Sequence, residues 1–244
     1  MGGVRFSVSK KIIIGLVLST LLFSVWANAE VSKDERVAVV VIELSNVASG
    51  TRKVFYQGLE RLARSKTPWW LQDSYSEVHV LYQEQASFQL FYQTLWEAAQ
   101  LENVRAIDVF LHLHGRQGAI TFHDGAVGTW YVREKLKNVP SVGKKLRALY
   151  STACFGASQA QDWLDGGFKV VNGALKVNAN GAYELPAFLK SWTEGESFGA
   201  AQDKGNQQSW RSFYDNIAQK LMSEEVDSYK EVHGNASITI DSVP

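Results

Sequence analysis

Asp108-Val-Phe-Leu-His-Leu-His114-Gly115 and Leu146-Arg-Ala-Leu-Tyr-Ser-Thr-Ala153-Cys154-Phe-Gly156 decide how this chain is read. Each is an apolar run that closes on a reactive side chain with a glycine soon after. Each therefore reads as a buried strand with chemistry at its C-terminal end. If the two strands are neighbours in a parallel sheet, imidazole and thiol emerge at one edge. A Cys-His pair is then built from residues distant in sequence.

The segments on either side fit that sheet. Residues 36–44 (Arg-Val-Ala-Val-Val-Val-Ile-Glu-Leu) are a continuous β-branched run and predict a central strand buried on both faces. Residues 51–65 carry Phe55, Leu59 and Leu62 at helical spacing, which predicts an amphipathic helix that Lys66-Thr-Pro-Trp-Trp-Leu-Gln-Asp73 should break. A strand over 77–83 and a helix over 87–101, with Leu90, Phe91, Leu95, Trp96 and Ala99 on its stripe, lead into the His block. This β-α-β-α-β order predicts a parallel sheet with right-handed crossovers.

After Gly115 a short alternating run closes on Asp124-Gly125, the signature of a small β-excursion. A helix over 127–138 ends at 140–143, and the Cys block follows. A short helix over 157–164 stops at Gly166-Gly167 and gives way to a strand over 168–177. A long helix over 197–222 presents Phe198, Trp210, Phe213, Ile217 and Leu221, and 237–241 reads as an edge strand. The expected fold class is α/β, a mostly parallel central sheet with helices on both faces, in a single domain over 30–244.

Of 244 residues, 45% are apolar, enough for a sizeable core. The first 29 stand apart. Arg5, Lys10 and Lys11 precede an apolar run over 12–25, and Ala27-Asn28-Ala29 is a small-residue cleavage site. This predicts a signal peptide and a mature chain starting at Glu30, exported to the periplasm or secreted. No later run approaches eighteen apolar residues, so no membrane contact is expected after cleavage. Without its three basic leader residues the chain has 22 basic and 25 acidic side chains, a net charge of −3, which argues against a nucleic-acid partner. One cysteine in an exported protein can form no internal disulfide. Cys154 is therefore either a small buried hydrophobe or a nucleophile.

Beyond the two blocks, His114-Gly-Arg-Gln-Gly118-Ala-Ile120-Thr-Phe122-His-Asp124-Gly125 and Thr152-Ala153-Cys154-Phe155-Gly156 resemble the caspase-like cysteine peptidases, the group of caspases, metacaspases, legumains and gingipains. In that group a His-Gly pair ends one apolar strand and an Ala-Cys pair ends the next. The resemblance spans roughly 36–177. It implies a three-layer sandwich, a peptidase activity on polypeptide substrates, Cys154 as nucleophile and His114 as base. Thr152 stands where caspases have the Gln that helps shape an aspartate-selecting pocket, and Phe155 replaces the following Arg, Gln or Gly. Caspase specificity is therefore not implied.

Peptide cleavage needs a thiolate, a proton carrier and donors for the oxyanion. Cys154 and His114 would supply the first two, and the backbone N–H groups of Gly115 and Cys154 the third. No metal or organic cofactor is called for. Thr152, Asp162, Asp165 and Glu184 are candidates for the substrate pocket, the acids suiting a basic side chain. His112, on the same strand face as His114, is the rival base. His79, His123 and His233 read as structural.

Two other functions stay open. One is a cysteine α/β-hydrolase, with Gly156 and a downstream His233 in its favour and Thr152 against it. The other is a catalytically inactive exported binding module of the same fold.

Overall fold

Alternation of side chains along the strands sorts the core into two layers. The computed structural model describes residues 30–221 and 224–244, without the side chains of Thr51, Arg52, Phe55, Gln208 and Leu221. The leader over 1–29, the expected helix end at Met222 and the expected packing of Phe55 and Leu221 fall outside the described residues. Strand β1 (Arg36–Glu43) is buried throughout. Its Val37, Val39 and Val41 join one apolar cluster, and its Ala38, Val40 and Ile42 join the other. A strand buried on both faces needs apolar side chains along its interior, which the run from Val37 to Ile42 provides.

Around β1 the main sheet has the order β2-β1-β3-β6-β7-β8, with β2 (Glu77–Tyr82), β3 (Ala106–Arg116), β6 (Leu146–Ser151), β7 (Val170–Ala174) and β8 (Lys230–Gly234). The pairs from β2 to β7 are parallel, and β8 is antiparallel to β7. A hairpin of β4 (Ala119–Phe122) and β5 (Gly125–Gly128) hangs on the end of β3. Helices cover both faces. On one lie α2 (Phe88–Gln100), α3 (Thr129–Lys137), the single turn α4 (Pro140–Gly143) and α5 (Ala160–Asp165); on the other lie α1 (Gly50–Leu71), α6 (Gly181–Thr193) and α7 (Phe198–Gly205). Helix α8 (Gln208–Leu221) follows α7. The expected α/β class with a mostly parallel sheet is the fold observed.

Several boundaries differ from the sequence reading, each for a local reason. Helix α1 does not break at residue 66 but runs through Pro68 to Leu71. An interior proline costs about 3 kcal/mol. Thr67 and Leu71 beside it are fully buried, and their packing overrides the breaker. Leu90 and Trp96 belong to the solvent side of α2, whereas Phe91, Leu95, Ala98 and Ala99 are its buried stripe. Val127 pairs in β5, so α3 starts two residues later than expected. The expected strand over 168–177 ends at Ala174, where the chain turns its amides toward 227–229.

The expected single helix over 197–222 is two helices, α7 and α8. Gly205 lies against Glu184, and Asn206 bonds both backbone groups of Lys230, so the chain changes direction there. Residues 237–241 are not an edge strand. Ile238 and Ile240 pack into the core, and the Ile240 carbonyl accepts hydrogen bonds from Arg36 and Arg147 instead of a neighbouring strand. The antiparallel edge is β8, which the sequence reading passed over because Lys-Glu-Val-His-Gly carries almost no apolar signal. Helix α6 was passed over too, although Leu185, Phe188, Leu189 and Trp192 form a buried stripe along it.

Candidate active site

Strands β3 and β6 are neighbours, with Phe110 opposite Tyr150 and Leu111 opposite Ser151. Both blocks therefore deliver their last residues to one sheet edge, where ligands bind in open α/β sheets. His114 lies on β3 where it meets the hairpin, opposite Thr121. Its Nε2 is 2.6 Å from the carbonyl oxygen of Leu44. A carbonyl can only accept, so this contact places the ring proton on Nε2 and leaves Nδ1 as the acceptor.

The Leu44 carbonyl is itself held in place. The backbone N–H groups of Leu44 and Ser45 both donate to the buried Glu60 Oε1 at 2.8 Å. Tyr56 packs edge-on against the imidazole at 4.6 Å between centroids. Burial lowers the pKa of His114, opposed by the Leu44 carbonyl and by Glu43 and Glu60.

Cys154 follows β6 in a turn fixed from several sides. Thr152 N–H donates to the Leu111 carbonyl at 2.9 Å, and Ala153 N–H to Ser151 Oγ at 3.1 Å. Phe155 is left-handed, at φ 56° and ψ 25°, a conformation that costs a non-glycine residue about 1 kcal/mol or more. Gly156 lies so close to Gly173 of β7 that a Cβ on Gly173 would sit 2.1 Å from the Gly156 carbonyl carbon. The turn that aims the thiol is thus packed backbone against backbone.

Asn178 completes this side. Its backbone N–H points at Cys154 Sγ at 3.4 Å, and its Nδ2 donates to the Thr152 carbonyl at 3.0 Å. Burial pushes the Cys154 pKa up, and the Asn178 amide works in the opposite direction. Gly115 joins the two blocks. A Cβ there would fall 2.5 Å from the Cys154 carbonyl oxygen and 2.8 Å from Ala153 Cβ. Only glycine lets the strands approach this closely.

His114, Thr152 and Cys154 border one cavity of about 490 Å³, whose far wall comes from α1, α6 and α8. The other sequence candidates go elsewhere. Asp162 accepts hydrogen bonds from Thr129 Oγ1 at 2.7 Å and Arg133 Nη1 at 2.9 Å, which tie α5 to α3. Asp165 takes the Gln161 amide at 2.8 Å. Glu184 is buried and paired with Lys230 Nζ at 2.7 Å and Gln202 Nε2 at 3.1 Å. None of the three acids borders the cavity, which corrects the expectation of an acidic pocket.

His112 is no rival base. It is sealed beneath the site, with Nε2 3.1 Å from Thr67 Oγ1, and burial together with the Lys230 charge lowers its pKa to about 3. His79 and His123 pair with Glu77 and Glu43. His233 lies on β8 opposite Val171, near Glu231 and at the N-terminal end of β7 rather than at the C-terminal sheet edge, which removes the histidine an α/β-hydrolase would need.

Sequence reasoning missed Leu44, Glu60 and Asn178. Leu44 acts through a carbonyl that every residue has, and Glu60 reads as one of many polar positions on an amphipathic helix. Asn178 was the one that could have been found, because it follows the strand next to the cysteine strand in a parallel sheet.

Two measurable consequences arise from the titrating groups. With the Cys154 pKa raised and that of His114 lowered, the resting pair is neutral thiol and neutral imidazole. Alkylation of the free protein by iodoacetamide should therefore rise with pH with a midpoint above the ordinary thiol value of about 8.5. A midpoint below that value contradicts the resting state drawn here. His112 takes up no proton in the folded chain until about pH 3, whereas the unfolded chain binds one near 6.5. The stability it confers is full above 6.5 and is lost as pH falls, by up to about 1.4 kcal/mol per pH unit. His112→Gln should flatten the acid limb of melting temperature against pH. An unchanged limb rules His112 out as its source.

No family model and no curated protein matches this chain. Among solved structures it is similar to the crystal structure of caspase-1 from Spodoptera frugiperda, with a TM-score of 0.49 and 11% identity over 83% of this chain and 87% of that one.

Proposed function

We propose that the chain is a cysteine endopeptidase that hydrolyses peptide bonds through Cys154 and His114. The observation that carries this reading is that both side chains border one cavity at the C-terminal edge of the sheet, with His114 Nε2 engaged by the Leu44 carbonyl. That contact leaves Nδ1 to accept the thiol proton.

In the proposed reaction, substrate in the cavity brings its carbonyl carbon to Cys154 Sγ. The thiol proton passes to His114, the C–S bond forms, and the carbonyl oxygen becomes an oxyanion facing the N–H groups of Gly115 and Cys154. His114 then gives its proton to the departing amine, leaving a thioester. Water attacks the thioester with His114 as base, restoring the thiol and releasing the acid. The imidazolium formed midway is stabilised by the Leu44 carbonyl and by Glu43 and Glu60, which oppose the effect of burial. The test is hydrolysis of a peptide library by the purified protein and by Cys154→Ala.

The second reading is an inactive binding module with the same cavity. It is favoured by the burial that keeps the thiol protonated, and the same experiment separates it, because a module binds peptides and cuts none. The reading also includes export. Intact mass of the protein recovered outside the cytoplasm should begin at Glu30. A product retaining Met1 contradicts cleavage there.

A further inference from the structure

Resting on the peptidase reading, we infer that the site selects substrates with a large aliphatic or aromatic side chain at the cleaved residue. The cavity beside Cys154 and His114 is walled by Tyr56, Leu59 and Leu62 of α1, by Val177, by Leu185 of α6 and by Ile217 of α8. Its volume of about 490 Å³ lies within the range of sites that enclose a small ligand, roughly 300–1,000 Å³.

Among the described residues, no carboxylate, lysine or arginine borders it. The nearby acid Glu184 points away, into its pair with Lys230 and Gln202. Asn178, whose backbone N–H points at the thiol, spends its side-chain amide on the Thr152 carbonyl and its side-chain carbonyl on the Asn180 N–H. An entering guanidinium or carboxylate would lose its water and gain no partner, whereas an apolar side chain would bury its whole surface. Thr152, Tyr56 and Tyr214 are the neutral hydroxyl-bearing side chains on the wall, weak partners for a charge.

The test compares kcat/KM for peptides that differ only at the cleaved residue, and pairs this with binding of the same peptides to Cys154→Ala by fluorescence polarisation. The expected result is a preference for Leu, Met or Phe over Asp, Arg and Lys of roughly 10²-fold in kcat/KM, and the same order in binding. Ala182→Asp gives a positive control. Ala182 borders the cavity in the first turn of α6, where a carboxylate suits the helix N-terminus. This variant should lose apolar cleavage and gain cleavage after Arg or Lys.

Preference of the wild type for an acidic or basic residue overturns the inference and leaves the peptidase reading standing. If nothing is cut but Cys154→Ala binds peptides in the apolar order, the peptidase reading falls and the chemistry of the cavity stands. If there is neither cleavage nor apolar binding, both fall.

Discussion

Cys154→Ala and His114→Ala should each abolish peptide hydrolysis, and the double variant should be no slower than either single one. The reason is that the two groups share one proton: without the imidazole the buried thiol stays protonated, and without the thiol the imidazole has nothing to activate. In a serine-protease triad, which works the same way, loss of the nucleophile or the base alone costs on the order of 10⁶ in kcat, about as much as losing both. All three variants should fold. His114 is only half-buried, and removing a thiol takes away little apolar area. His112→Ala makes the contrast. It empties a sealed position bonded to Thr67, so it should lower melting temperature more than it lowers kcat. Multiplicative losses from the two single substitutions would mean that Cys154 and His114 act separately.

The largest effect on stability is expected far from the site, at Arg147. Its guanidinium and the carboxylate of Asp108 are both completely buried and bonded to each other through two nitrogens. The same arginine donates to the carbonyls of Ile240 and Ser242, and so fastens the C-terminal segment to the sheet. Asp108 also accepts from Tyr75 Oη at 2.7 Å and from the Ala148 N–H at 3.0 Å, and Trp192 Nε1 donates to Tyr75 Oη at 2.8 Å.

Removing one partner of such a pair strands a buried charge, at a cost of about 3–5 kcal/mol. For a chain of this size Arg147→Met should therefore lower melting temperature by roughly 10 °C. Arg147→Met with Asp108→Asn leaves no stranded charge and should recover part of the loss. A single variant within 2 °C of wild type, or a double variant no better than the single, contradicts this account of the buried pair.

The parallel core and the two strands that meet at the site were legible because their residues state both burial and order. Runs such as 36–44 and 146–151 are predominantly apolar, and the chemistry at the ends of the His and Cys blocks marks direction. The boundaries that shifted were decided by partners distant in sequence. Pro68 stays helical because Thr67 and Leu71 are buried. The helix over 197–222 divides because Gly205 and Asn206 answer to Glu184 and Lys230. In residues 237–241 the Ile240 carbonyl goes to Arg36 and Arg147, and that of Ile238 to the Phe198 N–H.

At the site, the sequence placed the thiol and imidazole by their strand ends. It assigned Asp162 and Glu184 to substrate because a lone carboxylate does not reveal its partner. Their partners, Arg133 and Lys230, are 29 and 46 residues away. The groups that hold the imidazole are a main-chain carbonyl and a glutamate on a surface-like helix, neither of which has a sequence signature.

The claim that Cys154 and His114 work as one unit is tested most directly by labelling the folded protein with a peptidyl electrophile that resembles an apolar substrate. Intact mass and peptide mapping locate the adduct. The account predicts stoichiometric labelling of Cys154 at neutral pH, where the raised thiol pKa leaves little free thiolate. It also predicts that His114→Ala slows this labelling to the rate of simple alkylation. Labelling of wild type no faster than of His114→Ala would contradict it.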